Sequence, residues 1–532
     1  MTRYSYQSFP YVTPPELSGA APFDAQVIIV GAGPVGLAAA VDLALHGIRS
    51  IVLDGKDVVS RGSRAICWSK RTLDIFNRLG IGRRVRAKGV IWQVGRVFRG
   101  DNEICNFNLL AEDGHEMPAF VNLQQYYVEE YLVARAADFP DLIDLRWRNR
   151  VIAVSQSRDR AIADIETPDG AYRLEAPYLL ACDGARSPVR HMLRLDFSGQ
   201  GFPERFLIAD VEMKADFPPE RHFWFEPSFH QGQSALIHKQ PDDIYRIDFQ
   251  LSPDVDPQEE VKPERVLPRV RAAVQDRPFT LDWVSIYTFQ CRRLERFIHE
   301  RIIFVGDAAH VVSPFGARGG NGGIQDVDNL GWKLAHVLKG EARQALLDTY
   351  DEERCHGADE NLRHSARATT FMTPRTRAEH HFRDAVLDLS ATHAFARRLL
   401  NSGRLSQPCS LEGLRLQTPA QADGGLTPGV ACPDAPVTAP GSHSEDYLLH
   451  HLGGRFCLLA IDDATTEPPQ GLDVVSVGDK CRLSDKSGLV AARYGSSVSY
   501  LIRPDQHIAA RFHQPRSGEI RQALHRALAG AP

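Results

Sequence analysis

Apolar positions follow two different periods along this chain. Val27–Val30 is a short continuous apolar run, followed by a glycine-broken turn, a helical stretch to about His46 and a second apolar run from Ser50 to Leu53. That pattern predicts strand, helix and strand, with Gly47 ending the helix. It recurs further on, where Ile302–Val305 predicts a strand and Ile324, Val327, Leu330 and Leu334 recur at spacings of three and four, predicting a helix. Between these blocks the segments 206–209, 222–225, 234–238 and 245–251 are short and strand-like, and Pro- and Asp-rich turns separate them. They predict an antiparallel sheet. A helix is expected over Lys70–Leu79, with Ser69 as cap and Gly80 as stop. Others are expected from Leu346 to about Thr373 and over 373–410. After about Ser406 the composition shifts to Pro and Gly, and strand-like runs return.

The chain therefore divides into a polar tail (1–24), an α/β unit in two parts (25–198 and 296–405, with an insertion near 95–125), a β-rich unit (199–295) and a C-terminal unit (406–532). A chain of 532 residues is too long for one core.

Composition narrows the partners. Apolar content of 43% and charged content of 24% are ordinary for a globular protein, and a net charge of −5 gives no basic excess for nucleic acid or an anionic membrane. The nine cysteines show no Cys-x-x-Cys and no metal-like spacing, so no metal is expected and reduced thiols in the cytoplasm are. No apolar signal segment opens the chain. The apolar stretch Val27–Leu45 is interrupted by Gly31, Gly33, Pro34, Gly36 and Asp42, which suits a strand-turn-helix unit and not a membrane span.

The chemistry starts at Gly31-Ala-Gly33-Pro34-Val35-Gly36, a G-x-G-x-x-G between strand and helix, with Asp54 at about the distance expected for an acid that binds ribose hydroxyls. Small residues let the backbone approach a pyrophosphate, and the helix start stabilises its charge. This predicts a dinucleotide and leaves NAD and FAD open. The later strand ends at Gly306-Asp307, which puts a carboxylate at its carboxyl end, and a glycine-rich loop leads into the next helix.

Gly306-Asp307-Ala-Ala-His310, Pro314, the turn around Asn321 and the run Gly323–Leu334 closely resemble the second flavin motif of class A, single-component flavoprotein aromatic hydroxylases. The resemblance implies that FAD is the dinucleotide, that Asp307 contacts its ribityl chain, that Pro314 lies beside the reactive edge of the ring, and that backbone N–H groups near Gly320 and Asn321 face the pyrimidine. Arg318 departs from the family, where Gln or another residue is commoner. Arg318 is expected to attract an anionic substrate, to assist the oxygen chemistry, or to pair with Asp326. His310 is expected to be structural.

Arg64 resembles the family arginine that approaches the pyrophosphate, and Arg71 is expected to be structural. Gln125, with Gln124 as its rival, lies in a Gln-x-x-x-Glu-x-x-Leu pattern implied to sit near the ribityl or phosphate groups. Asp183-Gly184 with Arg186 and Arg190 resembles the family's Asp-Gly motif, associated with FAD and pyridine nucleotide. The β-rich unit is implied to roof the flavin, with Trp224, His238, Phe249, Tyr287 and His222 as pocket candidates. The C-terminal unit, with Arg503-Pro504-Asp505, resembles the thioredoxin-like domain of the phenol-hydroxylase and hydroxyphenylpropionate-hydroxylase branch; it holds no Cys-x-x-Cys, so a structural or dimer-packing role is expected of it and not redox exchange.

The fold class expected is thus a Rossmann-like α/β FAD-binding fold of the glutathione-reductase type with an antiparallel substrate sheet and a thioredoxin-like end. The activity implied is hydroxylation of a phenolic ring by O2, with NADH or NADPH as transient donor, through a C4a-hydroperoxyflavin, in aromatic catabolism. A homodimer is usual among relatives. The alternatives are an epoxidase, halogenase or reductase on the same scaffold, a polyketide-type biosynthetic hydroxylase, or a catalytically silent FAD-bound module.

Overall fold

The computed structural model describes residues 4–530 except 63, 111, 401–406, 421–423, 440–445, 463–467 and 480. The boundary expected at 405/406 lies outside the described residues.

A six-stranded sheet anchors the α/β unit, in the order Ile298–His299, Ile302–Phe304, Tyr178–Ala181, Val27–Val30, Ser50–Asp54, Ile143–Trp147. All its pairs are parallel except the first. Val27–Val30 is fully buried, as a strand covered on both faces must be. The chain passes from it to Ser50–Asp54 on one side and later returns to Tyr178–Ala181 on the other, so its carboxyl end is a topological switch point, where open α/β sheets bind ligands. The turn there depends on glycine. Gly31 has φ +106°, and a Cβ on Gly36 would lie 1.9 Å from the Gly31 carbonyl oxygen. The helix Pro34–Leu45 starts against this turn with Pro34 in its first turn.

An eight-stranded sheet lies over the carboxyl ends, in the order His310–Val311, Thr280–Arg293, Ser198–Glu212, Ile244–Leu251, Ser234–Lys239, Arg221–Phe225, Val94–Arg99, Asn102–Asn108. The last two strands come from the segment expected as an insertion. Alternation gives this sheet two faces. Leu207, Ala235, Ile237 and Phe249 pack with Val266 and Val270 of the helix Pro263–Ala273 on the far face. Phe206, Phe225, Leu236 and Phe289 pack with Phe315 on the inner face, toward the first sheet.

The C-terminal unit is a four-stranded mixed sheet, Asp473–Val477, Cys457–Ile461, Ser499–Ile502, Ile508–Phe512, with one parallel pair. Buried charges join it to the rest. Arg503 bonds Glu353 at 2.6 and 2.9 Å and Asp505 at 3.0 Å, while Arg71 reaches Asp328 and the Asp505 carbonyl, both at 2.6 Å. Arg71 is thereby accounted for structurally.

A second contact is titratable. His450 sits between Glu116 (2.5 Å) and Asp446 (2.6 Å). Its hydrogen bond to Glu116, chiefly, raises its pKa to about 9. The folded value exceeds the ordinary 6.5, so this contact stabilises fully below about pH 6.5 and is lost as pH rises through about 9. His450→Gln is expected to lower the thermal midpoint at pH 6 and to converge on the parent near pH 10 in melting curves across that range.

Candidate functional site

The cleft between the two large sheets brings the glycine turn, Asp54, the Arg64 loop, Gln124-Gln125, Asp183 and the segment 306–321 together. A Cβ on Gly33 would meet nothing within 4 Å, so the helix start opens onto free space. Asp54 accepts from the Ala32 N–H (2.8 Å) and the Lys56 N–H (2.9 Å), which fixes its carboxylate at the strand end. Val35 packs against Gly306 and Gly323, locking the two helix starts together.

Asp307 follows Gly306, whose N–H donates to Asp326 (3.0 Å). Its side chain is exposed to the cleft, is surrounded by protein elsewhere, and has no hydrogen-bond or ion-pair partner among the described residues. Burial of its surroundings raises its pKa, with His310 and Arg64 drawing it back. The helix Gly319–Leu338 begins opposite. Its first internal bond is Gly322 N–H to Arg318 O (2.7 Å), which leaves the N–H groups of Gly319, Gly320 and Asn321 without acceptors among the described residues. Those donors, at the positive end of a helix of 20 residues, suit an anionic ring edge. The Asn321 side chain holds Cys67 O (2.9 Å) and Ser69 N (3.0 Å) and so fixes that start.

Other expected residues prove differently engaged. Gln125 spends its amide on Ala65 N (3.2 Å), Ser60 Oγ (3.3 Å) and Glu129 (2.8 Å). Its neighbour Gln124 is 2% exposed, and both its amide atoms lack partners. Gln124 is thus the glutamine with capacity left for a ligand. Asp183 accepts from Val189 N–H (2.9 Å) through one oxygen; the other is buried without a partner. Arg190 is buried and bonds Ala308 O (2.9 Å) and Ala185 O (2.7 Å), so it ties two turns together, whereas Arg186 is exposed. Arg64 is exposed at the cleft.

Arg318 does not pair with Asp326. Asp326 is held by His310 (2.7 Å) and Arg354 (2.6 Å), both buried, and Arg318 instead donates to Asn361 (2.7 Å). These two partners already occupy the Asp326 carboxylate, and His310 is structural through the same contact. Pro314 is exposed beside the buried Phe315.

The inner face of the roof is polar at its centre. Arg221, His238, Gln240 and Asp248 share it, and each carries a buried side-chain atom with no partner. Arg221 has no carboxylate within ion-pair distance among the described residues; its guanidinium lies over the Phe223 ring (4.7 Å). His238 lies 3.5 Å from Asp248 and 3.9 Å from the Cys67 sulfur, and burial pushes its pKa down to about 4, so it is neutral at pH 7. Tyr287 is half-buried on the same face. Trp224 and Phe249, expected here, face away. Trp224 stacks on Phe98 (4.9 Å) with His222 beside it, and Phe249 is fully buried under the helix Pro263–Ala273. One-residue alternation along each strand decides this. Arg221, Gln240 and Asp248 carried no motif, but sorting each strand's residues by parity would have separated them from His222, Trp224 and Phe249.

Residues 24–365 match the FAD binding domain family, and the chain belongs to it. It is 30% identical over 502 residues to the 12-dehydrotetracycline 5-monooxygenase/anhydrotetracycline 6-monooxygenase of Streptomyces rimosus, covering 91% of this chain and 94% of that protein. To the 3-(3-hydroxy-phenyl)propionate/3-hydroxycinnamic acid hydroxylase of Mycolicibacterium smegmatis it is 28% identical over 363 residues; the match covers 68% of this chain and 64% of that relative's length. Among solved structures, the anhydrotetracycline hydroxylase of Streptomyces rimosus superposes with TM-score 0.72 at 26% identity, covering 95% of this chain and 99% of that one. Aklavinone-11 hydroxylase, solved with FAD and aklavinone, shares the fold with TM-score 0.76 at 21% identity, covering 96% and 100%. FAD is therefore the cofactor this cleft is built for. The partnerless Asp307 carboxylate, the open helix starts and the orphaned Gln124 amide fit it.

Proposed function

We propose that this chain is an NAD(P)H-dependent monooxygenase that places one oxygen atom of O2 on an aromatic ring bearing polar oxygen groups. The observation that carries the reading is the pairing across one cleft of a flavin-type floor with a roof on which Arg221, His238, Gln240 and Asp248 each carry a buried polar atom without a partner. Each such atom costs about 1–3 kcal/mol when left unpaired, so a ligand that meets them gains both affinity and orientation. When bound, FAD supplies the redox chemistry, accepting two electrons from the nicotinamide and passing them to O2. One oxygen atom enters the ring as hydroxyl and the other leaves as water.

The chain's own residues do the rest. Asp307 and Gln124 hold the ribityl chain, and Asp54 takes the ribose hydroxyls. The N–H groups of Gly319–Asn321 stabilise negative charge on the ring edge. Pro314 forms the wall beside the reacting carbon, with Arg318 braced behind it by Asn361. Neutral His238, with Asp248 beside it, accepts a hydrogen bond from the substrate's hydroxyl and so orients the ring, while the Arg221 guanidinium favours negative charge on that oxygen. The apolar ring of Phe206, Phe289 and Phe315 excludes water. A homodimer and a cytoplasmic location belong to the same proposal. All nine cysteines are free, which suits a reducing compartment, and no helix among the described residues is long and apolar enough to cross a membrane.

The test is NAD(P)H consumption by FAD-loaded protein over a panel of phenols, with peroxide and product mass recorded together. Fused polycyclic phenols come first, because a relative aligned over 91% of this chain is named a 12-dehydrotetracycline 5-monooxygenase/anhydrotetracycline 6-monooxygenase. Oxidation stimulated by one compound, with little peroxide and a product heavier by one oxygen, establishes the hydroxylase. A reduced product without added oxygen shows a reductase instead. For the substrate so found, His238→Ala and Asp248→Ala are each expected to raise KM about tenfold, the loss of one buried polar contact, with FAD affinity unchanged. An unchanged KM removes these residues from the pocket.

A further inference from the structure

The family match begins at residue 24, yet the segment before it is built into the cleft wall. Residues 4–11 run across the α/β unit with their aromatic residues turned inward. Tyr4 lies on Tyr126 (ring centroids 4.1 Å apart), and Phe9 stacks on Trp147 at 4.5 Å and 7°. Phe9 N–H donates to Asp57 O (2.6 Å), just beyond the strand that ends at Asp54. The arm thus touches the start of the helix Gln125–Ala136 and the loop carrying Arg64, which both border the cleft.

The contact that matters is at Gly62, whose N–H donates to Tyr6 Oη at 3.0 Å. Gly62 lies against the Trp283 indole on the inner face of the roof; a Cβ there would come within 2.7 Å of Trp283 Cε2. The same loop is pinned at Ser60 by Glu129 (2.8 Å) and at Ala65 by Gln125 (3.2 Å). Ala65 in turn meets the helix start, where a Cβ on Gly320 would lie 3.2 Å from its methyl group. Two clamps therefore come from below, and a third comes from outside, at the point where the loop meets the roof.

We propose that the N-terminal arm is part of the cofactor site and that Tyr6 is a positioning residue, holding Gly62 so that the Arg64 loop closes over bound FAD. Tyr6 touches no cofactor atom; it sets the loop that does. Without it the Gly62 N–H loses its acceptor, and the loop keeps its two inner clamps but is free to lift from Trp283.

The experiment compares Tyr6→Phe with Tyr11→Phe in the full-length protein. Tyr11 donates from the same arm to Thr167 (3.1 Å), away from the loop. FAD dissociation is measured by flavin fluorescence, and amide exchange over 60–66 is measured with and without FAD. Tyr6→Phe is expected to raise the FAD dissociation constant about fivefold, the worth of one partly buried hydrogen bond, and to speed exchange in the loop in both states. Tyr11→Phe is expected to change neither. A Tyr6→Phe protein that matches the parent in both readouts overturns the proposal. So does an equal loss of FAD affinity in both variants, because the arm then acts through general stability and not through the loop. Neither readout depends on turnover, so both are independent of the hydroxylase reading.

Discussion

Asp307→Ala is expected to raise the FAD dissociation constant by about 10- to 100-fold, the largest single-residue effect on the cofactor. A hydrogen bond to a charged group is worth about 1.5–3 kcal/mol, and each 1.4 kcal/mol is tenfold in affinity. The carboxylate faces the cleft with no protein partner among the described residues, so nothing else in the chain depends on it. The apo-protein's unfolding midpoint is therefore expected to hold or rise slightly, because burial already disfavours this charge. That split separates Asp307 from Asp54, whose carboxylate also closes the Ala32 turn and whose loss costs fold and cofactor together. Fluorescence titration and apo-protein melting check the pair. An FAD affinity within threefold of the parent, taken as about 0.7 kcal/mol, removes Asp307 from the site.

Arg503→Ala is expected to be the most destabilising substitution outside the cleft, by about 3–5 kcal/mol, the usual cost of removing one partner from a buried charge network. Arg503, Glu353 and Lys333 are each no more than 1% exposed. The guanidinium holds Glu353 and Asp505, and Lys333 holds Glu353 at 2.7 Å. Without Arg503 two buried carboxylates share one ammonium, and that ammonium's own pKa is already depressed by burial to about 8. The effect reaches the cleft, because Lys333 lies on the helix Gly319–Leu338, whose first residues border it. Urea unfolding of the FAD-loaded protein measures it. The double variant Arg503→Ala/Asp505→Ala is expected to lose less than the two single losses added, since removing both charges leaves fewer unpaired. A loss below about 1 kcal/mol for Arg503→Ala contradicts the network's role.

Residues that act through the backbone or at a strand end were legible in the chain itself. Gly31, Gly33 and Gly36, Asp54, and the Gly306-Asp307 step all sit where local geometry leaves few choices: a turn with positive φ, a helix start, a carboxyl end at a switch point. Residues that act through a side chain on a sheet face were not. The aromatic character of Trp224 and Phe249 marked them as pocket residues. Yet each sits one position out of phase with the inner face, and a period of two turns such a position through the sheet. Gln124 and Gln125 are equally placed in the chain, and only the contacts of Ser60, Ala65 and Glu129 decide which amide is spent. Arg318 had Asp326 available in sequence, but in space Arg354 and His310 had already taken it.

The two strand-turn-helix blocks and the dinucleotide turn were legible in the chain alone, because they depend on short-range spacing that survives without neighbours, and the family and FAD came with the resemblance carried by the run from Gly306 to Leu334. The tertiary structure decided which face of the roof meets the ring, which buried polar atoms remain unpaired, and how Arg503 and the N-terminal arm close on the cleft. Those are contacts between residues tens to hundreds of positions apart. Packing settles them, and no local pattern of apolar and polar residues encodes which distant partner arrives first.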